Sequence, residues 1–460
     1  MSTIQTVNPA TGQPITSYEA WDAERIEAAV QRARAASRAW ALVPVTERAQ
    51  RVARLGQTLR AHADQLADLA AQEMGKPLAE ALGEVEKSAL TADYYAQNGP
   101  GILADERVAI DGAETWIAYE PIGLVLAVMP WNFPVWQVMR FALPSLMAGN
   151  GILLKHASNV TGSALALQEL CVQAGLPEHL VTALLIAEAD VPDATARLIE
   201  DDRIAAVTLT GSNRAGAAVG SAAGRAAKKS VLELGGSDAF VVLADADIER
   251  ASAAAVKARF ANSGQSCVCA KRFIVHQDVA DVFTDAFVAA VQDLRTGDPR
   301  EPGTQVGPLA RDDLRGAIQR QVEESVAAGA RLLTGGKPLP SDGYFYQPTV
   351  LADTQPGMPA FDEETFGPLA AIAIAADDDE AVRLANATSF GLGLSVWTTD
   401  LARGIEVARR ITSGAAFVNA IVASDPRLPF GGTKRSGYGR ELASAGIREF
   451  TNIRTYWVSA

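Results

Sequence analysis

Four short apolar runs, at positions 123–129, 151–155, 181–186 and 205–210, constrain the fold most. Each is rich in Val, Leu, Ile or Ala and bounded by turn residues, which is the pattern of buried strands. Helical spacing fills the intervals. A helix through Pro144 follows the first run and one over 161–174 the second, and another begins after the fourth. Strands alternating with helices define an α/β class. Open sheets of that class bind ligands at the carboxyl ends of their strands. The residues standing there are Pro130-Trp131-Asn132, Lys155-His156-Ala157-Ser158 and Gly211-Ser212.

The chain has 460 residues, too many for one core, so two or three domains are expected. Before the first strand the spacing predicts helices over 22–40, with Asp22 as N-cap, 46–74 and 78–98. The segment 107–119 reads as two strands around an Asp111-Gly112 hairpin turn. A net charge of −13 argues against a nucleic-acid partner. No apolar run is long enough to predict a membrane span, and the N-terminus lacks a signal pattern. Three cysteines do not form a disulfide framework, and the cytoplasm is expected. The four histidines are scattered, so no metal site is expected.

Two of the three cysteines fall in Asn262-Ser263-Gly264-Gln265-Ser266-Cys267-Val268-Cys269, a turn between a helix and a strand. A reachable thiolate there would serve covalent catalysis; the bland reading is two small apolar residues packed under a turn. Glu233 lies inside the apolar run Val231-Leu232-Glu233-Leu234, where burial would raise its pKa toward that of a general base. Its alternatives are a surface-pointing side chain or a pair with Lys228. Asn132, Trp136 and Arg140 are spaced by four and share a face if the helix starts by Asn132. Arg140 would then suit a carboxylate. Gly211-Ser212 and Gly216 form a weak phosphate-turn signal.

The Asn8-Pro9-Ala10-Thr11-Gly12 opening, Pro130-Trp131-Asn132, Glu233-Leu234-Gly235-Gly236, the Gly-Gln-Ser-Cys run and Glu364-Thr365-Phe366-Gly367 resemble, in this order along the chain, the motifs of the aldehyde dehydrogenase superfamily. Within it the chain is most similar to the shorter bacterial succinate-semialdehyde dehydrogenases. The resemblance implies a Rossmann-type cofactor domain (1–103 and 122–234) and an α/β catalytic domain (235–429). It also implies a small β oligomerisation arm (104–121 and 446–460), and a return segment over 430–445 that closes the substrate tunnel. It makes Cys267 the nucleophile, Asn132 the oxyanion donor and Glu233 the base that activates water. Pro130, Trp131, Lys155, Ser158, Gly211, Ser212, Gly216, Leu234, Glu364 and Phe366 become cofactor residues, and Trp136, Arg140, Ser424 and Phe430 substrate residues.

The implied reaction is NAD(P)-dependent oxidation of succinate semialdehyde to succinate, through a thiohemiacetal and a thioester on Cys267. Glutarate semialdehyde, a general aliphatic aldehyde, a CoA-acylating reaction and a silent scaffold are the alternatives. Ser158 stands where many NAD-preferring members carry glutamate, which favours NADP while leaving NAD open. Cys269 is a small space-filler or a redox partner for Cys267. A homodimer or a dimer-of-dimers tetramer is expected.

Overall fold

A computed structural model describes residues 2–459. Two sheets carry the site. The first has six strands in the order Gly437–Tyr438, Lys229–Glu233, Ile204–Thr210, Leu124–Met129, Gly151–His156, Val181–Ala183. All are parallel except the two-residue edge at Gly437–Tyr438. From Leu124–Met129 the chain builds outward on one side through Gly151–His156 and Val181–Ala183. It then returns to the other side for Ile204–Thr210. The order therefore reverses beside Leu124–Met129, and the loops at 130–135 and 211–212 flank the resulting crevice. The apolar runs form strands here because both faces are covered: Leu124, Val125, Leu126 and Ala127 are fully buried.

The second sheet has seven strands, ordered Arg331–Thr334, Thr349–Ala352, Leu369–Ala375, Ala270–His276, Asp238–Val242, Leu394–Trp397, Phe417–Val418. The chain passes from the carboxyl end of Lys229–Glu233 straight into Asp238–Val242 through Leu234-Gly235-Gly236-Ser237. Carboxyl ends of the first sheet thus face amino ends of the second, and the cysteine turn, just before Ala270–His276, lies between them.

Asp22 caps the first helix as expected, its Oδ1 accepting the Arg25 N–H at 2.8 Å. The 46–74 stretch is two helices, Val45–Ala61 and Ala63–Met74, which part at His62. The His62 Nδ1 lies 2.9 Å from the Thr58 carbonyl, where its own backbone N–H also bonds. The helix after Asn132 begins at Trp136, one turn later than the spacing suggested. Pro134 is the reason: its ring disfavours helical backbone at Phe133. Asn132 therefore stands on the loop, and only Trp136 and Arg140 are on the helix. The opening segment is a hairpin, Thr3–Asn8 with Gln13–Glu19. A separate three-stranded sheet joins Glu106–Arg107, Ala113–Pro121 and Thr451–Ser459, with Trp116 stacked on Tyr456 at 4.7 Å.

Candidate active site

The cysteine turn is held by unusual backbone. Asn262, Ser263 and Gly264 have φ of +53°, +55° and +73°. At Gly264 a Cβ would fall 2.3 Å from the Gly367 carbonyl oxygen, so glycine is required twice over. The two non-glycine residues are held by hydrogen bonds. The Asn262 N–H donates to Glu80 Oε2 at 2.6 Å, and the Gly307 N–H donates to Ser263 Oγ at 2.9 Å. Gln265 Oε1 accepts the Ala310 N–H at 2.9 Å. Lys271 then pins the turn from behind, donating to the carbonyls of Ser266 (3.0 Å) and Cys267 (2.8 Å).

Asn132 is oriented from both ends. Its carbonyl accepts from Asn262 Nδ2 at 2.8 Å, and its own Nδ2 donates to the Gln265 carbonyl at 3.0 Å. One Nδ2–H remains for the cavity that Asn132 shares with Cys267. The loop is fixed at its far end by Glu84, whose Oε1 accepts the N–H groups of Val135 and Trp136, both at 2.8 Å. Lys76 neutralises Glu84 in a fully buried pair.

Burial pushes the Cys267 thiol up to about 12, against the opposing pull of Arg140 and Lys271. Glu233 is also buried, and among the described residues neither of its carboxyl oxygens has a hydrogen-bond partner. Burial first, and then the charge of Glu441, raise its pKa well above the usual carboxylate range. Lys228 does not pair with it; that ammonium donates to the Asp201 carbonyl instead. Arg140 is paired with Glu441 and lies over Phe430, 4.5 Å from the ring centroid. A substrate carboxylate at Arg140 would have to compete with Glu441, which comes from a distant part of the sequence.

Cys267 lines two cavities. The first, about 250 Å³, also holds Pro130, Trp131, Asn132, Gly211, Ser212, Glu233, Leu234, Glu364 and Phe366. Trp131 and Phe366 meet edge to face at 5.6 Å. Glu364 Oε1 accepts the Gly236 N–H at 2.9 Å, and a Cβ at Gly235 would fall 2.4 Å from its other oxygen. A neighbouring cleft of about 640 Å³ shares Ser212 with this cavity and runs past Glu188 and Arg214. Ser212 caps the helix Asn213–Arg225, its Oγ accepting the Ala215 N–H at 3.3 Å. Two chambers joined at a helix N-terminus, one walled by aromatic rings, fit a dinucleotide.

Gly216 faces the Leu234 side chain, where a Cβ would come within 2.4 Å, so its smallness serves packing rather than the cleft. Lys155, one residue before the end of its strand, is buried, and the charge of Glu188 partly offsets the cost of burying the ammonium. Ser158 donates to Glu188 Oε2 at 2.7 Å. The neutral site inferred from Ser158 therefore has a carboxylate beside it, supplied from 30 residues further along the chain.

The second cavity, about 380 Å³, is lined by Cys267, Trp136, Arg140, Ser424 and Phe430, and by a residue whose role the sequence did not suggest, Lys87. Cys269 is buried with its thiol 3.8 Å from the Ala261 carbonyl, and all three cysteines are free.

A sequence model of the aldehyde dehydrogenase family matches residues 1–456. The chain belongs to the aldehyde dehydrogenase family. It is 48% identical over 451 residues to the succinate semialdehyde dehydrogenase (NAD(P)+) of Escherichia coli K12, covering 98% of this chain and 97% of that one. It is also 48% identical to succinate-semialdehyde dehydrogenase (NADP(+)) 1 of Mycobacterium ulcerans, with 99% of each covered. Among solved structures it is similar to succinic semialdehyde dehydrogenase of Streptococcus pyogenes in complex with NADP+. That match has a TM-score of 0.96 and 33% identity, and covers 99% of this chain and 100% of that one. Gox0499 aligns with the same TM-score at 40% identity, with 99% of each covered.

In this aldehyde dehydrogenase Cys267, Asn132 and Glu233 line the same cavity. Trp136, Arg140, Ser424 and Phe430 meet in the other cavity. Sequence reasoning missed Glu84, Lys87, Glu188, Lys271 and Glu441. A charged residue amid helical apolar spacing, as at Glu84, was the one available signal.

Proposed function

We propose that this aldehyde dehydrogenase oxidises succinate semialdehyde to succinate, with NADP or NAD as acceptor. The observation that carries the reading is that Cys267 forms part of two cavities at once, one shaped for a dinucleotide and one holding a basic side chain. The names of the relatives support the same substrate and acceptors.

The Cys267 sulfur attacks the aldehyde carbon as thiolate and forms a C–S bond. The free Asn132 Nδ2–H and the Cys267 backbone N–H receive the negative charge that develops on oxygen; one such donor contributes about 3 kcal/mol. A dinucleotide held in the first cavity would supply the hydride acceptor, and loss of hydride from the adduct carbon turns the thiohemiacetal on Cys267 into a thioester. Glu233, as carboxylate, takes a proton from water; the water oxygen adds to the thioester carbon, and the C–S bond breaks to release the acid. Both Cys267 and Glu233 have raised pKa values, so their reactive anionic forms are gained as pH rises. Trp131, Phe366, Glu364, Ser212 and Lys155 would hold the cofactor.

Assembly as a homodimer or dimer of dimers is supported by the strand Thr451–Ser459, an outer sheet edge that exposes Ile453, Trp457 and Val458. The free state of all three cysteines supports a cytoplasmic setting. The test is absorbance at 340 nm with succinate semialdehyde and either dinucleotide, with Cys267→Ala as blank. Cys267-dependent reduction is expected; reduction that survives Cys267→Ala overturns the mechanism.

A further inference from the structure

We propose that Lys87 is a further specificity-determining residue, which joins Ser424, already implied as a substrate residue, in receiving the substrate's distal carboxylate. The proposal rests on the semialdehyde reading above. Lys87 projects from the helix Leu78–Ile102 into the cavity that Cys267 also lines. Its Nζ donates to Ser424 Oγ at 2.7 Å and stands 4.5 Å from the centroid of the Trp136 ring.

The hydrogen-bond inventory is incomplete in a specific way. An ammonium has three N–H donors, and Ser424 takes one. The Trp136 face attracts the charge without accepting a hydrogen bond in line. Ser424 Oγ, having accepted from Lys87, keeps its own O–H to donate. Two donors from two different elements therefore converge where two carboxylate oxygens would be bound.

The charge inventory is incomplete too. Among the described residues no carboxylate lies within ion-pair distance of Lys87. Glu84, on the same helix, is committed to Lys76 and to the N–H groups of Val135 and Trp136. Asp425, next to Ser424, is held by Arg427 at 2.7 Å. Arg140, from the facing helix, repels the ammonium and has Glu441 as its partner. Glu80, Lys257 and the thiols of Cys267 and Cys269 complete the titratable groups lining this cavity. Burial, and then Arg140, bring Lys87 down to about 8. A half-buried cation without a counter-ion carries a desolvation cost, and an anionic substrate end supplies what is missing. Phe133, Trp136, Val268 and Phe430 give the rest of the cavity an apolar wall suited to methylenes.

The experiment compares kcat and KM for succinate semialdehyde and for butanal, its uncharged counterpart, in the wild type and in Lys87→Met, Lys87→Arg and Ser424→Ala. Circular dichroism confirms folding of each variant. In Lys87→Met the ratio of kcat/KM values, semialdehyde over butanal, should fall on the order of 10- to 100-fold, mainly through KM. Lys87→Arg should recover part of the loss. Ser424→Ala should lower the ratio on the order of 5-fold, so the proposal stays testable if Lys87→Met does not fold. A second readout is protection of Cys267 from iodoacetamide by succinate, expected in the wild type and lost in Lys87→Met. An unchanged ratio in Lys87→Met, with protection retained, overturns the subsite and returns the carboxylate to Arg140. A wild type without preference for the semialdehyde overturns the substrate reading instead. Succinate protection then decides the subsite alone, and equal protection in wild type and variant refutes it.

Discussion

Raising the pH from 7 to 9 should erode the preference for succinate semialdehyde over butanal about tenfold. Lys87 titrates near 8 in the free enzyme, lowered first by burial and then by Arg140, against the opposite pull of Glu84, Asp425 and Cys267. The ammonium is the binding form, so the contribution is present below that value and lost above it. At pH 7 about nine-tenths of the enzyme carries the charge, and at pH 9 about one-tenth, which sets the tenfold span. The assay is kcat/KM for both aldehydes across pH 6.5 to 9.5, because this parameter reports groups of the free enzyme. Cys267 and Glu233 act on both substrates, so their titrations cancel in the ratio. Lys87→Arg should flatten the ratio, since a guanidinium stays charged throughout. A wild-type ratio that is flat or rises with pH would refute the reasoning.

Glu188→Gln removes the carboxylate beside Ser158 and Lys155 and should tighten NADP relative to NAD by about 5- to 10-fold, read by quenching of tryptophan fluorescence. An unchanged ratio of dissociation constants would show that the 2′-position lies elsewhere. Asn132→Ala should lower kcat by about 10²- to 10³-fold with little change in dinucleotide affinity. Loss of less than about fivefold would remove Asn132 from the oxyanion site. Gly264→Ala combines a left-handed backbone with a Cβ 2.3 Å from the Gly367 carbonyl and should cost about 2–4 kcal/mol, seen as a lower midpoint in urea. A midpoint equal to wild type would mean the turn has room to shift.

What was legible in the sequence is what local pattern controls. The runs 123–129, 151–155 and 205–210 became strands because no other element lets such short apolar stretches be covered on both faces. Cys267 and Glu233 stood out because each residue type was at odds with its neighbours. What stayed hidden depends on distance along the chain. Glu441 is over 200 residues from Glu233, and nothing near either announces the other or the intervening Arg140. Lys87 sits in a helix whose spacing is explained fully by packing, and its meaning appears only once Ser424 and Trp136 surround it. Glu188 changes the reading of Ser158 for the same reason. The late start of the helix at Trp136 was available in principle, since Pro134 restricts the residue before it.

The four residues from Leu234 to Ser237 tie turnover to the alignment of two sheets. They are the direct crossing between the sheet that ends at Glu233 and the sheet that begins at Asp238, while Cys267 hangs from the second sheet alone. Base and nucleophile are therefore mounted on separate sheets, and this segment is the shorter of two chain crossings between them, the other running from Phe417–Val418 to Gly437–Tyr438. A small slip of one sheet against the other misaligns the two groups even while every strand keeps its own partners. Turnover is in effect a vernier on that alignment, sensitive to displacements too slight to register as unfolding.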